Sequence, residues 1–386
     1  MPGYELIGAE EQAQVDDIFQ HGGVLFRHSF DHLRQDRWKV RDFEQEFAKS
    51  IGMPHALAVT SGTAALRIAL AVLDLQPGDE VITQSFTFVA TVEAIIEAGA
   101  VPVCADIDGT LNMDPESLKF LITPKTKAVI AVHMLGTPAR LFEIDDICRK
   151  NNLTLIEDAA WGCGGSLDGR PLGTWGRMGT YSFDFAKTMT TGEGGMIVFH
   201  NEEDYKVAAA WHDHGHENNP SVPRWEDTRA SSGFNFRMTE MQGAVGLAQL
   251  KKLSHVVTMQ RKNRDSMWAA IQKLPGIIPR EVPVGSHETA DALIFSVADK
   301  ATARKCRDSL LIEGLSTKIL PEAVTWHFAG TWTHMSELVA RHGGDLAKAF
   351  EPSRSRLERA VSLPVVVKMD ETVPERLHTA LSKVLS

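Results

Sequence analysis

Three short stretches carry residue types able to do chemistry together. Residues 182–195 (SFDFAKTMTTGEGG) hold one lysine, Lys187, in a polar loop between an apolar run and a glycine-rich turn. A lysine amine desolvated near a phosphate and a carboxylate can form an imine with an aldehyde and later act as a base. The glycines let the backbone turn tightly against a bound group. A lone lysine is ordinarily a solvated surface charge, so its partners decide the reading. Ile156-Glu157-Asp158 ends an apolar run. Asp158 could pair with a protonated ring nitrogen there, or merely cap the next segment. Ser61-Gly62-Thr63-Ala64 stands where a strand pattern gives way to a helical one. Free N–H groups, two hydroxyls and a glycine suit an anion, although an ordinary helix cap has the same look. Neither the Walker nor the Rossmann glycine spacing is present. An anion cup, a strand-end acid and a loop lysine in this order meet the needs of pyridoxal 5′-phosphate (PLP), with Lys187 holding it as a Schiff base.

Such a set must be held at the ends of parallel strands, and the chain supplies them. Residues 55–61, 80–83, 101–106, 127–135, 153–158, 180–185 and 195–199 read as strands, with helical patterns such as 63–75 and 88–98 between them. Short β-branched runs alternating with helices predict an α/β fold whose mostly parallel, seven-stranded sheet is covered on both faces. The texture changes near Met238. Residues 238–274 lack proline and repeat apolar positions at helical spacing, as one long helix or two consecutive ones. Pro275, Pro279 and Pro283 then mark a break. A strand at 290–297, a helix at 301–313, a strand at 315–320 and a last helix at 373–385 predict a smaller C-terminal α+β domain. The division expected is 1–250, a PLP-binding domain with an N-terminal arm, and 251–386.

The bulk properties narrow the partners. The 386 residues are 43% hydrophobic and 23% charged, with a net charge of −10. That composition is ordinary for a folded protein, and the acidic balance argues against nucleic acid or an anionic membrane. Cys104, Cys148, Cys163 and Cys306 are scattered, without a CxxC pair, so neither a disulfide framework nor structural zinc is expected. No leader pattern or membrane-length apolar run is seen, which predicts a cytoplasmic protein.

Motifs along nearly the whole chain resemble the DegT/DnrJ-type sugar aminotransferases, a family with the aspartate-aminotransferase fold (fold type I). They are SGTAAL (61–66), GDEVITQSFTFVAT (78–91), GAVPVCADID (99–108), IEDAAWG (156–162), YSFDFAKTMTTGEGG (181–195), GFNFRMTEMQGAVGLAQL (233–250) and SLPV (362–365). The resemblance implies that Lys187 forms the internal aldimine and then serves as general acid and base. It implies that Asp158 pairs with the pyridinium nitrogen and that Phe88 stacks on the ring. Ser61 to Ala64 form the phosphate cup, with Gly62, Thr63 and Ser182 as its principal holders. Asn235 is implied to reach the phosphate site of a neighbouring subunit, which would make the enzyme a homodimer with shared active sites. The substrates implied are an amino-acid donor, L-glutamate, and a keto-sugar acceptor. The acceptor is either a nucleotide-linked keto-hexose or an 8-oxo-octulosonate, the second because residues 26–44, DHGHEN and WHFAGTWTH look like the octulosonate branch.

Some residues depart from the pattern or stay open. Relatives usually carry glutamine or histidine where this chain has Trp161, which can stack on a cofactor but cannot accept a hydrogen bond. Lysine at 187 rather than histidine favours transamination over the sugar dehydration of related enzymes. A PLP dehydratase or lyase and a non-catalytic PLP-fold regulator are the alternatives. Trp211 to His216 (WHDHGH) invites a metal, but no acid or cysteine cluster accompanies it, so no metal is expected. His214-Gly215 instead matches the family's His-Gly loop near the substrate. Trp326-His327 and Trp332-Thr333-His334 are packing residues or a wall against a sugar. Arg27, His28, His32, Arg34, Arg37, Trp38 and Lys39 are a solvated face or an aid to an anionic substrate.

Overall fold

The structure, a computed structural model, describes residues 2–219 and 221–385. Its centre is a sheet of seven strands: β1 (His55–Val59), β2 (Glu80–Gln84), β3 (Val101–Ala105), β4 (Thr126–Val132), β5 (Thr154–Asp158), β6 (Met178–Ser182) and β7 (Gly195–Phe199), in spatial order β1-β7-β6-β5-β4-β2-β3. β7 runs antiparallel to both its neighbours, and the rest are parallel. The reversal follows from chain length. Residues 183–194 contain no helix, and a connection of that kind returns to the adjacent antiparallel position, whereas parallel neighbours need a crossover. Ser182 therefore pairs with Gly195, and Lys187 rides on the loop between them.

Both faces of the sheet are covered, so its strands are apolar on both sides. On one face Phe43, Phe47, Tyr181 and Phe183 pack together, with Phe47 and Tyr181 ring centroids 4.9 Å apart. On the other, Leu57 and Val59 meet Ala65, Ile68 and Ala69 of α3. Among its helices are α1 (Ala9–Gln20), α2 (Lys39–Ile51), α3 (Gly62–Ala71) and α4 (Val89–Glu97), and in the C-terminal part α5 (Glu240–Ile271), α6 (Lys300–Ile312) and α7 (Val373–Leu385).

The proline-free stretch is a single 32-residue helix, α5, begun by a capping box between Thr239 and Gln242. It runs through residue 250, so the two parts of the chain share a helix rather than a linker. Beyond it lies a three-stranded sheet of β8 (Ile278–Pro279), β9 (Ala292–Ser296) and β10 (Ala360–Pro364), in that order. α6 and α7 close its core around Phe295 and Leu363. One expected strand is absent: residues 315–320 are irregular. Ile319 has φ 68°, which breaks an extended course. The segment still exchanges backbone bonds with β10, Lys318 N–H donating to Ser362 at 2.7 Å. β10, which contains the SLPV motif and has no expected strand assigned to it, takes the place beside β9.

The basic N-terminal stretch is not a simple solvated face. Arg34 is 1% exposed and pairs with Glu240 of α5 at 3.5 Å. Arg34 and Arg41 each lie 4.0 Å from the Trp38 ring centroid.

Candidate active site

A cavity of about 430 Å³ opens at the carboxyl ends of β4, β5 and β6 and reaches the start of α3. This is where an open parallel sheet receives ligands. Lys187, Asp158, Ser61, Gly62, Thr63, Ser182, Phe88, Trp161, Trp326 and His327 all line it.

The α3 end is built for an anion. Ser61 caps the helix, its hydroxyl accepting from Ala64 N–H at 3.0 Å. Gly62 and Thr63 supply the first two helical N–H groups, which have no intrahelical acceptor. Ala64 differs from its neighbours: its N–H is engaged by the cap, and it faces an adjoining pocket rather than this cavity. A Cβ added to Gly62 would stand 2.8 Å from Ser182 Cβ, and one on Gly195 would stand 2.4 Å from the Ser61 carbonyl oxygen. Glycine at both positions lets the helix start, β6 and β7 converge around the cup.

The middle of the cavity holds Asp158, 5% exposed. One oxygen accepts from Thr91 Oγ1 at 3.0 Å and the other from Ala160 N–H at 3.1 Å. Thr91 is hydrogen-bonded in turn to Thr87 at 2.8 Å. Burial pushes the Asp158 carboxyl up, while these hydrogen bonds and the charge of Lys187 oppose the rise. An acid in this state gains from a further cationic N–H partner. Thr87 and Thr91 lie within the 78–91 motif, in which only Phe88 has an expected role. Their i, i+4 spacing at a helix start was the available signal.

Lys187 is held by a tight loop. Its N–H donates to the Asp184 carbonyl at 3.0 Å, and its own carbonyl accepts from Gly3 N–H at 3.1 Å. Its Nζ lies 3.5 Å from the Trp161 ring centroid. Burial lowers the amine to about 8, against the pull of Asp158 in the other direction. A larger share is therefore neutral near physiological pH than for an ordinary lysine.

The C-terminal part closes the cavity. Thr87 N–H donates to the His327 carbonyl at 2.9 Å and Ala329 N–H to Ser85 at 2.8 Å. His327 stands 5.5 Å from Phe88, ring to ring. Burial, aided by Lys187, lowers His327 to about 4, which keeps its imidazole neutral. Trp326 remains 67% exposed at the rim. The second Trp–His pair divides: Trp332 is buried in the core, and His334 faces the adjoining pocket.

His214 and Asn235 do not line this cavity in their own chain. Both are exposed, on neighbouring segments joined by a bridge between Asp213 and Asn235. The WHDHGH histidines do not converge: His212 donates to the Ala209 carbonyl at 2.5 Å, and His216 pairs with Asp227 at 3.0 Å. Among the described residues no group of three or more His, Cys, Asp or Glu could hold a metal ion, and no helix is long and apolar enough to cross a membrane.

Residues 27–382 match the model of the DegT/DnrJ/EryC1/StrS aminotransferase family. The chain belongs to that family. It is 34% identical over 368 residues to the GDP-perosamine synthase of Vibrio cholerae, covering 94% of this chain and 93% of that protein. It is 36% identical over 283 residues to the 3-amino-5-hydroxybenzoate synthase of Amycolatopsis mediterranei (strain S699), covering 72% and 70%. Its fold matches the crystal structure of a 3-amino-5-hydroxybenzoic acid synthase with a TM-score of 0.84, 27% identity and coverage of 99% and 98%. The protein is a PLP-dependent aminotransferase of the sugar-aminotransferase family. The residues present fit the cofactor: a cradle at α3 that a side chain on Gly62 would fill, a buried acid open to a cation, and a desolvated amine, all lining one cavity.

Proposed function

We propose that this enzyme transfers the amino group of L-glutamate to a keto-sugar, a nucleotide-linked keto-hexose or the aldehyde of an octulosonate, at the Lys187 cavity. The product would serve a surface polysaccharide or a secondary metabolite. The observation that carries the reading is the convergence of Lys187, Asp158 and the α3 cup in one cavity. The sugar-directed names of relatives support the acceptor class.

PLP, when bound, supplies a sink for the electrons freed from the donor Cα–H bond. The protein's own residues do the rest. Gly62 and Thr63 N–H and the Ser182 hydroxyl would hold the phosphate. Asp158, fixed by Thr91 and Ala160, would keep a proton on the ring nitrogen. Lys187 Nζ would hold the cofactor at rest and, once free, would move a proton from the donor Cα within the same cavity. Phe88 and Trp161 would offer flat surfaces to it. Trp326 and neutral His327 keep bulk water out, and the imidazole can bond a sugar hydroxyl. Asn235 and His214 would act in the cavity of a second subunit, which fits their exposure and their absence from the lining of their own.

The test is a screen of glutamate with a panel of keto-sugars and sugar-acid aldehydes, read by mass. Aminated product in stoichiometric amount with 2-oxoglutarate is expected. Free ammonia without amino sugar would replace this reading with a dehydratase or lyase.

A further inference from the structure

Trp161, which lines the cavity, has a second lysine amine beside its ring, and the reaction above leaves that amine unused; Lys318 is not itself one of the lining residues. Lys318 Nζ lies 4.7 Å from the Trp161 ring centroid, and Lys187 Nζ lies 3.5 Å from the same centroid. The two amines can therefore be no farther apart than those distances combined. Lys318 is only 17% exposed and pairs with Asp291, which is 1% exposed. This is its amine's only hydrogen-bond acceptor among the described residues. The other oxygen of Asp291 is buried and has no hydrogen-bond partner among them.

A buried pair kept for structure alone would be expected to satisfy its donors and acceptors. This one leaves N–H groups over beside Trp161, a residue of the cavity wall. Its mounting is rigid as well. Thr289 donates its hydroxyl to the Trp161 carbonyl at 3.1 Å, and Lys318 N–H and carbonyl both engage Ser362 of β10. No arginine lines the cavity. An amino-acid donor nonetheless brings a carboxylate there, and so does a sugar-acid acceptor. The α3 cup would be taken by the cofactor phosphate.

We propose that Lys318, oriented by Asp291 against Trp161, is the carboxylate-recognition residue of this active site and sets its preference for acidic substrates. The assignment rests on the aminotransferase reading of the Lys187 cavity, but binding tests it without turnover. The probe is succinate, an unreactive dicarboxylate, titrated calorimetrically into the PLP-loaded enzyme. Lys318→Met should weaken succinate by about 10-fold or more, as expected for the loss of one charge-assisted hydrogen bond. Lys318→Arg should retain binding to within a few-fold. In stopped-flow half-reactions, Lys318→Met should raise the glutamate concentration for half-saturation while leaving an uncharged amine donor unchanged.

The two half-reactions separate the source of the carboxylate. A defect confined to glutamate assigns Lys318 to the donor, and one confined to the sugar acid assigns it to the acceptor. Unchanged succinate affinity and unchanged saturation in both half-reactions would overturn the proposal. So would equal losses with glutamate and the uncharged amine, which mark a structural role. Lys318→Gln, which keeps an N–H toward Asp291, serves the same comparison if the methionine variant does not fold. Absence of any wild-type transamination alongside Lys318-dependent succinate binding would count against the proposed reaction and not against this site.

Discussion

At the scale of residues, the cavity sets one amine against one acid at different degrees of burial. Lys187→Ala should abolish transamination and leave no borohydride-trappable PLP, both read on purified protein. The pH dependence has a definite sign. The neutral amine is the nucleophile, and burial lowers Lys187 to about 8. The rate at which cofactor-free protein takes up PLP should thus rise with pH, change about tenfold per unit below that value, and level off above it. A rate still climbing toward the usual lysine range would show that the amine is not desolvated. Asp158→Asn keeps the size but loses the charge, and should slow the glutamate half-reaction by roughly 100-fold or more, measured by stopped-flow absorbance.

At the scale of elements, the phosphate cup depends on how closely α3 approaches β6. Gly62→Ala would place a Cβ 2.8 Å from Ser182 Cβ, backed by a buried strand with little room to move. Equilibrium dialysis should show PLP affinity down about 10-fold or more, and the melting temperature should fall as well, since relieving such a collision costs about 1–3 kcal/mol. Phe47, fully buried between Tyr181 and Phe183, acts on stability alone. Phe47→Ala should cost about 3–5 kcal/mol of stability, read by denaturant unfolding of the cofactor-free protein, without directly touching the cavity.

At the scale of the whole molecule, the C-terminal part forms one wall through the 85–87 and 327–329 pairing. The proposed role of Asn235 adds a second chain. Mixing inactive Lys187→Ala and Asn235→Ala subunits, if sites are shared, should restore about a quarter of the wild-type activity, since half the dimers would be mixed and each would hold one intact site. No recovery after subunit exchange would place Asn235 outside the site.

The primary structure alone was enough for the seven strands, for the helical character of residues 238–274 though not for its being one helix, and for singling out Lys187, Asp158 and the α3 start, because these signals are local. Strand runs, helix caps and glycine turns are written within a few consecutive residues. Tertiary structure decided the rest. It turned residues 315–320 into an irregular segment, since left-handed Ile319 and the competing strand β10 occupy the sheet edge. It assigned Ala64 N–H to the cap, joined Thr91 to Asp158 across 67 positions, and brought Lys318 and Asp291 to Trp161. Contacts between residues far apart in the chain leave no periodic trace, and a buried charge is recognisable only once the groups around it are in place.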